Sequence, residues 1–254
     1  MKENNRTALI TGATSGIGKS TAELFATHGI RLILCGRRQD RLEELQKELS
    51  NNTEVCTLQF DVRNREHVFD ALASVPSAFS EIDILINNAG NAHGLETIQD
   101  GSMDDWDAMM DINVKGLLYV SKAILPGMLQ REKGHIINIG STAGKEVYPK
   151  GNVYCASKHA VDAITQGMRL DLNGKGIKVS GINPGLVQTE FSEVRFKGDS
   201  ERAEKVYQNY DPLLPEDIAD IIWFAITRPP HVNIADLTVM CLDQASSTIV
   251  NKRQ

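Results

Sequence analysis

The sequence predicts an α/β fold, a single doubly wound domain built on a parallel sheet with helices on both faces. Three observations lead there. Short β-branched runs alternate with longer amphipathic segments over all 254 residues. The short runs are apolar on both faces, as strands lying between two helical layers must be. No repeat, low-complexity tract or shift in composition divides the chain, so one domain spanning 1–254 is expected.

In chain order, the first strand is "TALIT" (7–11), followed by a glycine-rich turn and a helix near 17–28. "RLILCG" (31–36) is the second strand and leads into a charged helix near 40–50. "EVCTLQFD" (54–61) precedes a helix near 64–79, and "DILIN" (83–87) precedes a long helical stretch near 104–131. "GHIINIG" (134–140) is followed by a helix near 153–173. "IKVSGIN" (177–183), a helix near 215–227 and "LTVMCL" (237–242) complete the alternation. Two stretches break it: "GNAHGLETIQDGS" (90–102) and the long charged segment 187–212. Both follow strands, and in open α/β sheets ligands sit beyond the carboxyl ends of the strands. Such stretches can be plain surface loop, but loops of this length inside a compact domain are more often functional or disordered.

Composition narrows the function classes. A net charge of −6 argues against a nucleic-acid partner, because binding a phosphate backbone draws on a basic surface. The polar start lacks the pattern of a secretion signal, and no apolar stretch approaches the ~20 residues needed to cross a bilayer. Cys35, Cys56, Cys155 and Cys241 form no CxxC pair, which fits reduced thiols in the cytoplasm. His93, His135 and His159 lack metal-ligand spacing, so no metal site is expected. Met109, Met110, Met128, Met168 and Trp106 read as packing residues.

The turn in "TALITGATSGIGKSTAELFATHG" sets Gly12, Gly16 and Gly18 between a strand and a helix. Glycine suits the tight turn, the bare backbone that a pyrophosphate approaches, and close helix–strand packing. The helix start then offers free N–H groups and a positive dipole end to the phosphates. A phosphate loop of GxxxxGK type is excluded, because Ala13 stands where its first glycine belongs. Further on, "NVYCASK" (152–158) spaces Tyr154 and Lys158 four residues apart, on one face of a helix. A cation about 5 Å from a phenol, at an effective dielectric near 20, favours phenolate by roughly 3 kcal/mol. That is about two pKa units, enough to bring Tyr154 towards an operating pH.

The spacing GxxxGxG, with "NNAG" (87–90), Asn113, Ser141, "NVYCASK", "NPG" (183–185) and Thr189 in order at strand ends, resembles the short-chain dehydrogenase/reductase family along the whole chain. The resemblance implies a Rossmann fold with seven parallel strands in the order 3-2-1-4-5-6-7, and a nicotinamide-dependent oxidoreductase acting on a CH–OH group. It implies a catalytic set of Asn113, Ser141, Tyr154 and Lys158. In that set Tyr154 exchanges a proton with the substrate oxygen and Ser141 positions that oxygen. Lys158 lowers the tyrosine pKa and holds the nicotinamide ribose, and Asn113 supports a relay water. Cofactor contacts are implied for Gly12, Thr14, Ser15, Gly16, Ile17, Gly18, Asp61, Val62, Asn88, Ala89, Gly90, Tyr154, Lys158, Pro184, Gly185, Val187 and Thr189. Family members commonly form homotetramers.

After the second strand the chain reads Gly36-Arg37-Arg38, with no acid to bind a ribose 2′-hydroxyl. An arginine fork suits a 2′-phosphate, so NADP is the expected cofactor; Arg41 reads only as part of the charged helix. The stretch "PGLVQTEFSEVRFKGDSERAEKVYQN" resembles the substrate loop of NADP-dependent 3-hydroxy acid dehydrogenases, the branch of serine and L-allo-threonine dehydrogenases and malonic semialdehyde reductases. "GHIINIGSTAG", "KGNVYCASK" and "VNIADLTVMCLDQAS" share that resemblance, whereas "KEVYPK" (145–150) adds little. A short 3-hydroxy acid needs a cation for its carboxylate. Arg195 is the candidate, against the alternative that it pairs with Glu190 or Glu193 on a helical surface. Serine oxidised at C3 becomes a 2-amino-3-oxo acid, free to lose CO2 without enzymatic help. Two other readings stay open: a 3-oxoacyl-thioester or general carbonyl reductase with the same catalytic set, and a silent NADP-binding sensor.

Overall fold

The computed structural model describes residues 6–253. Seven parallel strands lie in the order β3-β2-β1-β4-β5-β6-β7: β1 (Thr7–Thr11), β2 (Arg31–Gly36), β3 (Val55–Gln59), β4 (Ile84–Asn87), β5 (Gly134–Ile139), β6 (Ile177–Pro184) and β7 (Asp236–Val239). Helices α1 (Gly16–Thr27), α2 (Gln39–Leu49), α3 (Arg65–Ala73), α4 (Met103–Met110), α5 (Leu117–Arg131), α6 (Asn152–Asp171) and α9 (Pro215–Ile226) connect and cover them. Two short helices, α7 (Phe191–Arg195) and α8 (Ser200–Val206), lie in the segment after β6.

The unbroken apolar strands follow from two-sided burial. Side chains alternate across a strand. Ala8 and Ile10 of β1, Leu32 and Leu34 of β2, and Ile84 and Ile86 of β4 therefore point into one core. There they meet Phe25 of α1, Leu42 of α2, and Ile218 and Ile222 of α9. Leu9, Ile33 and Leu85 point the other way, towards Val68 of α3 and Val120, Ile124 and Met128 of α5. Phe25 meets Trp223 edge-on, with ring centroids 5.8 Å apart, which locks α1 to α9. Strand β1 pairs with β2 on one side and β4 on the other. The order of connection reverses there, so a crevice opens beyond the carboxyl ends of β1 and β4.

Element ends differ from the sequence expectation where local chemistry intervenes. The helix expected over 64–79 stops at Ala73. Pro76 offers no N–H to continue it, and only a 3-10 turn at Ser77–Phe79 follows. The stretch expected as one helix over 104–131 is broken by a π-helical turn at Asp111–Gly116, between α4 and α5. The segment 187–212 is not plain loop, since it holds α7 and α8.

Candidate active site

The ends of β1, β4 and β5 build the floor. Thr11 ends β1, and its Oγ1 accepts from the N–H groups of Asn88 (3.1 Å) and Ala89 (3.0 Å) beyond β4. Asn88 Nδ2 donates back to the carbonyls of Thr11 (2.9 Å) and Gly12 (3.2 Å), fastening the glycine turn to "NNAG". Beneath them, buried Asn87 donates to Ser121 Oγ of α5 and to Asn138 Oδ1 of β5, both at 2.9 Å. Asn138 in turn donates to Thr165 of α6 at 2.9 Å. This polar chain ties β4 and β5 to their helices just below the crevice and leaves buried Asn87 Oδ1 without a partner.

The glycine turn is shaped to admit a ligand. Gly12 and Gly16 sit at φ +64° and +50°, the left-handed region that favours glycine. A Cβ at Gly18 would run into the carbonyl oxygen of Gly12. Ser15, ahead of α1, makes no side-chain capping bond, so the first-turn amides of α1 have no side-chain partner there. Across the turn, Arg38 Nη2 donates to Thr14 Oγ1 (3.0 Å) and Ser15 Oγ (3.1 Å). Its Nη1 reaches Glu190 Oε2 at 3.0 Å, and Arg41 Nη1 reaches Glu190 Oε1 at 2.7 Å. Arg37 is exposed and makes no ion pair among the described residues. Asp61 is clasped by Arg63 Nε at 2.9 Å. Burial raises its pKa, but the bonds to Arg63 and the charges of Arg63 and Arg37 outweigh that and hold the carboxyl below its ordinary range.

The reactive end is formed by β5, α6 and the π-helical turn. Ser141 caps a 3-10 turn (Thr142–Gly144), its Oγ accepting from the Ala143 N–H at 3.1 Å, and the same hydroxyl is near enough to the Tyr154 phenol to lower its pKa. Lys158 follows Tyr154 on the same face of α6, and its buried Nζ donates to the Ile139 carbonyl at 3.0 Å. Asn113, on the π-helical turn, receives the Asn91 N–H (2.9 Å) and donates to Asn91 O (2.8 Å) and Ser157 Oγ (3.0 Å). Gly90 lies between the two side chains. A Cβ there would stand 3.1 Å from Asn113 Oδ1 and 3.5 Å from Lys158 Nζ.

The acidified phenol expected from the sequence is not what the structure holds. Burial raises the Tyr154 pKa above its ordinary value, and the phenol of Tyr148 adds to the rise. The opposing influences include the neighbouring Ser141 hydroxyl and the charge of Arg195. Burial also pulls Lys158 down to about 8, and its Nζ donates to the Ile139 carbonyl at 3.0 Å. The i,i+4 spacing does set both side chains on one face of α6.

Arg195 is also placed differently from its surface alternative. Glu190 is taken by Arg38 and Arg41, and Glu193 is exposed. Arg195 Nε instead donates to Gly94 O at 3.1 Å, and Gly94 N donates back to Arg195 O at 2.9 Å. This clamp ties α7 to the 90–102 segment. The guanidinium carbon lies 5.5 Å from the Tyr154 ring centroid and 5.6 Å from that of Tyr148. Nη2 is buried without a hydrogen-bond partner. Phe191 packs 5.6 Å from Tyr154.

These parts line one cleft of about 540 Å³. It runs from Arg37 and Arg38 past Gly12–Ile17, Asp61, Val62 and Asn88–Gly90 to Ser141, Tyr154 and Lys158, and is closed by Pro184–Val187, Thr189 and Arg195. Asn113 stands behind it, touching Gly90 and Asn91. A nicotinamide dinucleotide fits this shape, with side-chain-free backbone at the middle, cations at one end and a proton carrier at the other. Tyr148, Gln244 and Glu190 are among the lining residues that sequence reasoning missed. Tyr148 sits in the stretch set aside as uninformative, Gln244 follows β7, and Glu190 was considered only as a surface partner of Arg195. An acid next to Thr189, in a chain whose nucleotide site is basic, was the available signal for Glu190. Of the histidines, His135 lies at the opposite, amino end of β5, and His159 Nδ1 is hydrogen-bonded to Cys155 O one turn back in α6.

Residues 6–200 match the short chain dehydrogenase family. The chain is 49% identical over 247 residues to the NADP-dependent 3-hydroxy acid dehydrogenase YdfG of Escherichia coli O6:H1, covering 97% of this chain and 99% of that protein. It is 43% identical over 246 residues to sulfoacetaldehyde reductase 2 of Chromohalobacter salexigens, covering 96% and 98%. Among solved structures, the closed form of serine dehydrogenase complexed with NADP+ superposes with a TM-score of 0.92 at 48% identity, covering 98% of this chain and all of that one.

Proposed function

Because the chain belongs to the short chain dehydrogenase family, we propose that it is an NADP-dependent oxidoreductase interconverting short 3-hydroxy acids and their 3-oxo acids or semialdehydes. One observation carries the reading of the substrate. A buried guanidinium nitrogen without a partner stands beside the Tyr154 phenol, whose pKa the neighbouring Ser141 hydroxyl lowers. An unpaired buried donor on a cation calls for an anion, and a carboxylate two bonds from a reacting carbon reaches from one group to the other.

The residues divide the work as follows. Ser141 and Tyr154 hold the substrate oxygen between their hydroxyls, and Arg195 holds the carboxylate. Held along the glycine turn and Lys158, the cofactor would supply the hydride chemistry at C3, as acceptor when oxidised and as donor when reduced. In reduction Tyr154 donates its proton to the carbonyl oxygen. In oxidation it takes the hydroxyl proton. Burial favours the neutral phenol, so the site is set as a proton donor at neutral pH. Lys158 and Asn113, separated only by Gly90, hold the ribose and a relay water. Arg37 and Arg38 take the 2′-phosphate.

Substrate profiling with purified protein tests this reading. NADP-dependent turnover of L-serine, L-allo-threonine, 3-hydroxyisobutyrate or 3-hydroxypropionate is expected, with NAD much poorer. Turnover of acyl thioesters alone selects the thioester reductase, and nucleotide binding without turnover selects the sensor. The proposal also takes the protein to be a cytoplasmic homotetramer, as light scattering on the purified protein would register for the assembly. No helix among the described residues is long and apolar enough to cross a membrane.

A further inference from the structure

The carboxylate of Glu190 sits in an arginine pair drawn from another part of the chain. Arg38 ends the turn after β2 and Arg41 lies in the first turn of α2, whereas Glu190 caps α7 about 150 residues later. Each carboxylate oxygen takes one guanidinium, at 3.0 and 2.7 Å. Arg38 is further held by Thr14 and Ser15, hydroxyls of the glycine turn itself. Burial works to raise the Glu190 pKa, yet the bonds and charges of Arg41 and Arg38 outweigh it, so the group is an anion at neutral pH. Its neighbours reach two other parts of the cleft. A Cβ at Gly16 would stand 3.1 Å from Thr189 Cγ2, and Phe191 packs on Tyr154.

We infer that Glu190 tunes cofactor specificity at the nucleotide site, its carboxylate pairing with Arg38 and Arg41 and competing with a 2′-phosphate for Arg38 until a nucleotide carrying that phosphate displaces it. The inference rests on the NADP reading above. A ribose hydroxyl is neutral and gives up too little to part an arginine from a carboxylate, so NAD binds with the pair intact and is indifferent to it. A phosphate brings more charge and three acceptor oxygens, so it wins Arg38 from a half-exposed carboxylate. The same exchange frees the start of α7, the element whose other end holds Arg195 against Gly94. Cofactor choice and the substrate end of the cleft are thus joined through five helical residues.

Calorimetric titration of wild type and Glu190→Gln with NADP, NAD, 2′,5′-ADP and 5′-AMP at low ionic strength tests this. The substitution keeps the side-chain shape and removes the charge. NADP and 2′,5′-ADP are expected to bind about 3- to 10-fold more tightly to the variant, the scale of one or two half-exposed ion pairs. NAD and 5′-AMP should stay within about twofold, and the gain should shrink as salt is raised. Glu190→Ala should give the same ordering. Unchanged or weaker binding of the 2′-phosphorylated ligands, or an equal gain for all four, overturns the inference. A wild type that binds NAD as tightly as NADP overturns the cofactor reading instead, and the two failures are told apart within one set of titrations.

Discussion

Burial keeps the proton on Tyr154, and the groups that loosen it include the neighbouring Ser141 hydroxyl and the charge of Arg195. Arg195 therefore has two tasks at one position: anchoring an anionic substrate and tempering the phenol 5.5 Å away. Its Nη2 is buried and unsatisfied, a costly condition for a cation unless an anionic partner completes it. Arg195→Ala should lower kcat/KM for 3-hydroxy acids by about 10- to 100-fold, the worth of a charged hydrogen-bonded contact, chiefly through KM. A neutral alcohol substrate should lose far less. Steady-state kinetics on both substrates checks this, and equal losses would argue against carboxylate recognition. The candidate residue was legible in the sequence because a hydroxy acid demands a cation. Its buried setting was not, since it depends on the pairing of Glu190 with Arg38 and Arg41 and on the clamp to Gly94.

Among elements, the turn from β1 into α1 is the one most narrowly specified. Gly18 lies inside α1, where alanine would ordinarily favour the helix by about 1 kcal/mol. Here a Cβ collides with the Gly12 carbonyl, a backbone atom that cannot swing aside. Gly18→Ala should therefore weaken nucleotide binding by at least about tenfold, as overpacking displaces the turn. Nucleotide titration against wild type measures it, and unaltered affinity would show the turn to be adaptable. The strand cores and this turn could be read from the sequence because they obey local rules: two-sided apolar runs and glycine where the backbone must be bare. The π-helical turn at Asp111–Gly116 could not, because its residues carry a helical pattern and the extra residue per turn shows only in the backbone. It matters because Asn113 rides on it. The helical content of 187–212 was likewise hidden by its charge and polarity.

At the scale of the molecule, the reversal of strand order beside β1 opens a cleft at one end of the sheet, while the other end carries none of the reactive groups. That far end holds His135, whose Nε2 lies 2.8 Å from Ser180 Oγ. Burial, with the charges of Lys178 and Arg6, lowers its pKa from 6.5 to about 3. The unfolded chain binds this proton below about pH 6.5 and the folded one only near pH 3. Stability is thus intact above pH 6.5 and declines as pH falls through that window. His135→Gln should flatten the acid limb of the Tm–pH curve between pH 6.5 and 4, which thermal denaturation across that range detects; an unchanged slope would assign the acid sensitivity elsewhere. The central claim concerns the cleft end, where one buried phenol moves the proton for a redox reaction on NADP. The most direct test sets turnover beside NADP affinity in Tyr154→Phe. The account predicts a fall in kcat of about 10²- to 10⁴-fold, with the NADP dissociation constant within about twofold of wild type. A phenylalanine variant that keeps its turnover, or loses it only because NADP no longer binds, would contradict the account.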